Sequence, residues 1–104
     1  MTFENQRPLT SLQIPDSLWE VILHQAEYFD EHAHPGKGDE FTEELLTAFE
    51  KIKDTPETWR RMEPGSPERR YGPTKTFDYV IVYEIYEDRS GGVVDIYHPR
   101  QVED

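Results

Sequence analysis

The stretch that decides the fold is ERRYGPTKTFDYVIVYEIYEDRSGGVVDIYHPR, residues 68–100. Phe77, Tyr79, Ile81, Tyr83 and Ile85 stand at every second position, with Asp78, Val80, Val82, Glu84 and Tyr86 between them. Period two is the signature of a β-strand. Val80 and Val82 make the second face apolar as well, so the spacing predicts a central strand covered on both sides for part of its length. Asp88, Ser90, Gly91 and Gly92 read as a turn, a Gly-Gly hairpin leading into Val93-Val94-Asp95-Ile96-Tyr97. Upstream, Arg69-Arg70-Tyr71 reads as a basic strand set off by Gly72-Pro73. The three make an antiparallel meander, with arginines on its first strand and His98-Pro99-Arg100 closing its last.

Outward from this unit the chain turns helical. Ser17-Leu18-Trp19-Glu20 has the form of a capping box, with Asp16 adding negative charge at a helix start. Leu18, Ile22, Ala26 and Phe29 follow at helical spacing, widened by Trp19, Leu23 and Ala33, which predicts a helix from about 16 to 33. His34-Pro35-Gly36-Lys37-Gly38 breaks it, and Asp39 offers an N-cap for a second helix. That helix carries Phe41, Leu45, Ala48 and Ile52, flanked by Leu46 and Phe49, up to Asp54-Thr55-Pro56. The short link makes the pair an antiparallel helical hairpin. Leu9 to Ile14 reads as a short strand stopped by Pro15, residues 1–8 as a flexible arm, and Pro56 to Pro67 as a loop with one turn around Glu57 to Met62. The expected fold is a two-layer α+β domain over 1–104, a helical hairpin packed on a small antiparallel sheet in the order β-α-α-β-β-β.

Composition narrows the function. With 22 acidic against 11 basic residues the formal charge of the 104-residue chain is -11, which opposes non-specific nucleic-acid binding by the chain as a whole. The charge is uneven: residues 16–58 hold 12 acidic and 3 basic residues, whereas residues 59–76 hold 5 basic and 2 acidic. There is no cysteine, hence no disulfide or thiolate metal site. No apolar run approaches a membrane span and the start lacks a signal peptide's regions, so a cytoplasmic protein is expected.

Taken together, several elements resemble the RelE/ParE superfamily of bacterial toxins, the plasmid stabilisation proteins of type II toxin-antitoxin systems. They are Tyr28-Phe29 with Pro35-Gly36-Lys37-Gly38, then Phe41 and Leu45, Arg69-Arg70, Phe77 to Tyr83, and Val94-Asp95-Ile96-Tyr97-His98-Pro99-Arg100, in family order over about residues 9–102. Asp78 stands where the family often has proline, and Gln101 where a second arginine is common. The resemblance implies a cognate antitoxin as partner, in a homodimer or a hetero-oligomer with the antitoxin. It implies no cofactor and no metal. In the ParE branch the cellular target is DNA gyrase and the action is inhibitory binding; in the RelE branch it is ribosome-bound mRNA, cleaved without a metal.

RNA cleavage of the second kind uses the substrate's own 2′-hydroxyl, so the protein must move protons and hold phosphate charge. Arginine forks and a histidine suit this, which makes Arg70, His98 and Arg100 the catalytic candidates. Arg69, Tyr83, Tyr97, Arg60 and Arg61 are the binding candidates, with Glu84 a further helper. Plainer roles stand beside these. Arg69 and Arg70 point to opposite faces of a strand, so one of them is expected to pair with an acidic helix residue. His98 is placed to end its strand, Tyr79 and Tyr83 to pack, and Trp19 and Trp59 to pack, with Trp59 also open to a partner. His24, His32 and His34 suit a solvated helix end better than a metal site.

Three functions remain open on the sequence: a ParE-like toxin, a RelE-like mRNA endonuclease, and a toxin-fold binding protein without toxicity. The acidity disfavours long-range steering towards RNA and so weighs against the second.

Overall fold

Residues 7–62, 65 and 67–102 are described by the structure, a computed structural model. The arm expected over 1–8 falls, for residues 1–6, outside the described residues. The elements are β1 (Ser11–Gln13), α1 (Asp16–His32), α2 (Lys37–Asp54), β2 (Arg60–Arg61), β3 (Glu68–Pro73), β4 (Val80–Ile85) and β5 (Ser90–Tyr97), with a short 3-10 turn at Pro99–Val102. The sheet order is β1-β5-β4-β3-β2, antiparallel except for β1, which runs parallel to β5. This is the expected α+β fold with one addition. Arg60 and Arg61, read from sequence as loop, form a two-residue edge strand opposite Tyr71 and Arg70.

The helical hairpin is fixed at its turn. Gly36 has φ 96, the left-handed conformation in which side chains are disfavoured. The N-caps differ from expectation. Asp39 lies inside the first turn of α2, and the cap is supplied by Asp30 of α1, whose Oδ1 accepts from the N–H of Gly36 at 3.1 Å and of Gly38 at 2.8 Å. At the start of α1 the residue before the helix is Pro15, without a side-chain cap, so Ser17 and Glu20 form no capping box. Beyond the turn the helices cross closely: a Cβ at Gly38 would lie 2.3 Å from the Ala26 carbonyl oxygen.

Ile22, Phe41, Leu45, Ile52, Ile81, Tyr83 and Val93 are the most enclosed of the core, which lies between the helices and one face of the sheet. Leu23 and Leu46, expected to widen the helical stripes, are 61% and 44% exposed. They sit on the outer side of the hairpin, where the sheet offers no cover. An aromatic cluster closes one end, with Phe29, Phe41, Phe77 and Tyr79 at ring separations of 4.8 to 6.4 Å. Such pairs contribute about 0.5–1.5 kcal/mol each beyond burial.

Two details of the sheet depart from the sequence reading. The strand expected from Phe77 begins at Val80, because Asp78 takes φ 60 and Thr74 closes a turn, donating its N–H to the Tyr79 carbonyl at 2.7 Å and accepting from the Tyr79 N–H at 3.0 Å. Gly91 and Gly92 are not the hairpin turn, which is made by the residues before Ser90, with Arg89 at φ 67. Both glycines lie within β5, and the need there is space: a Cβ at Gly91 would come 2.7 Å from Leu9 Cδ1 and 3.0 Å from the Glu84 carbonyl oxygen. Opposite β4, a bulge leaves Val94 unpaired between Val93 and Asp95, so Val93 and Ile96 both reach the core although three residues apart.

Gly38→Ala is expected to lower the unfolding free energy by about 1–3 kcal/mol, since the methyl must push apart two helix backbones. Gly36→Ala, which meets only the cost of a left-handed side chain, is expected to cost about 1 kcal/mol. Urea unfolding of both variants checks this; a Gly38→Ala midpoint equal to wild type would exclude so close a crossing.

Candidate functional site

Strand pairing assigns the candidate residues to faces. Arg60, Tyr71, Val82 and Asp95 form one cross-strand row, Arg69, Glu84 and Gly92 a second, and Pro73, Val80 and Tyr97 a third. All three rows lie on the sheet face that the helices leave uncovered. Arg61, Arg70, Tyr83 and Val93 form a row on the helix-covered face. Of the binding candidates, Arg60, Arg69 and Tyr97 therefore share the open face, whereas Arg61 and Tyr83 do not. Tyr71 belongs to the same open face and was not singled out from sequence, while Val82 beside it is only 6% exposed. Alternation along Arg69-Arg70-Tyr71 carried that signal, since a residue two from Arg69 must share its face.

The two neighbouring arginines are both engaged, and not by helix acids as expected. Arg69 is paired with Glu84 across β3 and β4. Arg70 is half-buried, paired with Glu68, and its Nη1 donates to the backbone carbonyls of Glu57 at 3.1 Å and Trp59 at 2.7 Å. Beside it the Tyr83 hydroxyl, fully buried, donates to the Pro56 carbonyl. Burial pushes the Tyr83 hydroxyl well above the usual tyrosine range, against the opposing pull of the Arg70 cation. Arg70 and Tyr83 thus satisfy the carbonyls of the loop leaving α2. Arg89, paired with Glu57 at 3.3 Å, holds that loop from the other side.

His98 and Arg100 lie elsewhere. Pro73, Val80 and Tyr97 are opposite one another, so His98 falls one residue beyond that row while Arg70 lies three residues back along β3. This places them about 13 Å apart along the strands and about 10 Å across them, about 16 Å in all. His98 sits edge-on to the Tyr79 ring at 5.3 Å, and its Nδ1 accepts the Arg100 N–H at 3.1 Å. The shared rim expected for Arg70, His98 and Arg100 is therefore not formed. The antiparallel register sends the end of β5 to the opposite end of the sheet from the start of β3.

A groove of about 600 Å³ opens between α2 and the turn joining β3 to β4, lined by Glu40, Glu43, Glu44, Thr47, Lys51, Trp59 and Lys75 among others. Trp59, half-buried, lies against Gly72, where a Cβ would come within 2.4 Å of the indole. Glu44 Oε2 accepts from the backbone N–H groups of Thr76 and Phe77, both at 2.8 Å. Partial burial raises the Glu44 carboxyl pKa, but these backbone bonds and the hydroxyls of Thr74 and Thr76 outweigh it, leaving it below the ordinary glutamate value of 4.5. Among the described residues Arg60, Arg61 and Lys75 form no ion pair.

Arg70→Ala is expected to destabilise the fold by about 2 kcal/mol, because Glu68 and two loop carbonyls lose a charged donor. His98→Ala, at the sheet end, should cost less than half as much in the same urea titration. For Glu44 the depressed folded-state pKa means its stabilisation is complete above the unfolded value and is lost as pH falls through the folded one. Glu44→Gln should accordingly flatten the fall of stability below about pH 4.5, measured by denaturant unfolding between pH 3 and pH 6; an unchanged pH slope would contradict the assignment.

Among the described residues no helix is long and apolar enough to cross a membrane. No curated protein and no solved structure matches the chain. A family model does, that of the ParE toxin of the type II toxin-antitoxin system parDE, over residues 21–103, from early in α1 to beyond the 3-10 turn. The matched span takes in most of α1, all of α2 and the strands from β2 to β5, and on that ground the chain belongs to the ParE toxin family of type II toxin-antitoxin systems.

Proposed function

We propose that this toxin acts in the cytoplasm by binding and inhibiting DNA gyrase, and that a cognate antitoxin neutralises it by covering its surface. The observation that carries the reading is the separation of Arg70 from His98, with the Arg70 guanidinium already occupied by Glu68 and by the carbonyls of Glu57 and Trp59. Metal-free RNA cleavage needs a phosphate-holding cation and a proton-transferring group within hydrogen-bond reach of one phosphodiester. With their backbones about 16 Å apart and the Arg70 guanidinium turned onto Glu68 and the loop carbonyls, the two side chains do not converge on one phosphodiester in this arrangement. Inhibition by binding asks only for an exposed surface with anchors. The open sheet face supplies Tyr71 and Tyr97 with Arg60 and Arg69 at one side, and aromatic residues with arginine are the side chains enriched at such contacts. The formal charge of -11 points the same way, since it disfavours approach to ribosomal RNA.

Inducible expression with and without the neighbouring reading frame tests the proposal, with DNA supercoiling and mRNA integrity read separately. Growth arrest without the partner, altered supercoiling and intact mRNA are expected. Tyr97→Ala with Arg60→Ala should relieve the arrest while leaving the melting temperature within about 3 °C of wild type. Cut mRNA with normal supercoiling would overturn the reading in favour of the nuclease.

A further inference from the structure

We propose that the groove between α2 and the β3–β4 turn is where the antitoxin docks, and that the docking segment is cationic. The proposal rests on the antitoxin pairing above and adds its place and polarity. The groove wall on α2 is a stripe at helical spacing, Glu40, Glu43, Thr47 and Lys51, facing Lys75 on the turn, with Trp59, packed on Gly72, also in the lining. Its volume of about 600 Å³ has room for side chains of a partner segment.

Three features select a cation. Glu43 forms no ion pair among the described residues, and Glu40 has only Lys37 at 3.6 Å, an exposed contact of little strength. The helices from which the wall is built belong to a region, residues 16–58, with 12 acidic against 3 basic residues, so any partner laid along α2 meets an excess of negative charge. Trp59 offers an aromatic ring in the lining of the same groove, the preferred neighbour of a lysine or arginine head group. Glu44, third in the acidic group, is already committed to the Thr76 and Phe77 N–H groups and holds the opposite wall in place. Lys51 and Lys75 leave the lining itself nearly balanced. They give the groove a direction, with lysine or arginine of the partner beside Glu40 and Glu43 and its polar or acidic residues towards Lys51. Lying about 16 Å along α2 from Glu40, Lys51 marks a docking length of about three helical turns.

The test uses the full-length toxin and the purified product of the neighbouring reading frame, with affinity measured by calorimetry at low and high salt. Glu40→Lys/Glu43→Lys is compared with Glu20→Lys/Glu27→Lys, which changes net charge equally on exposed positions of α1, and with Thr47→Tyr, which fills the groove without altering charge. Thermal melts show that each variant is folded. The groove pair and Thr47→Tyr are expected to weaken binding by about tenfold or more, the α1 pair by less than about threefold, and wild-type affinity should fall as salt rises. Equal losses for the two charge-reversal pairs, or wild-type affinity in the groove variants, would overturn the docking site while leaving the antitoxin pairing intact. A wild-type toxin that binds nothing from that frame would overturn pairing and docking site together.

Discussion

The close approach of Gly38 to the Ala26 carbonyl is the constraint on which the rest of the molecule depends. With Asp30 capping the start of α2 and Gly36 turning the chain, it holds two helices near enough to present Phe29 and Phe41 together. Those rings receive Phe77 and Tyr79 from the turn before β4, and Glu44 ties the same turn to α2 through two backbone bonds. The helical layer thereby fixes both the core and the wall of the groove. A side chain at position 38 would separate the helices and loosen all of these contacts in one step.

Charge in this protein is divided between what the fold consumes and what it leaves outside. Arg69 is paired with Glu84, Arg70 with Glu68 and Arg89 with Glu57, so these three cations serve the sheet and the loop after α2. Among the described residues the one helical acid in an ion pair is Glu40, with Lys37, although residues 16–58 hold 12 acidic side chains. The molecule thus has two unlike faces, an open sheet with aromatic and arginine side chains and a helical layer with a negative groove wall. Membership of a toxin-antitoxin family implies an antitoxin partner besides whatever the toxin acts on. Two chemically different faces allow the two partners to be distinguished.

Much of the fold was legible in the sequence because it rests on period. The two helices, the β3–β4–β5 meander and the short first strand follow from spacings of 3.6 and 2 in apolar residues, and their order suffices for a two-layer α+β fold. Local chemistry was less legible where a distant group supplied it. Asp30 caps α2 from the other helix, so Asp39 looked like the cap; Gly91 and Gly92 answer to Leu9 and Tyr86 packed upon them, so they looked like a turn. The bulge at Val94 likewise shows only when β4 lies alongside.

For the candidate site the division is sharper. Sequence by itself determined which cations and aromatics the sheet carries, that Arg69 and Arg70 face opposite ways, and that the helices are acidic, because alternation and composition are local properties. Which of those residues meet was decided by the tertiary structure alone. Strand register, set by the turns and by burial of Ile81, Tyr83 and Ile85 under the helices, sends His98 to one end of the sheet and leaves Arg70 towards the other. Distance between residues far apart in the chain is a property of that pairing, and no one-dimensional pattern contains it.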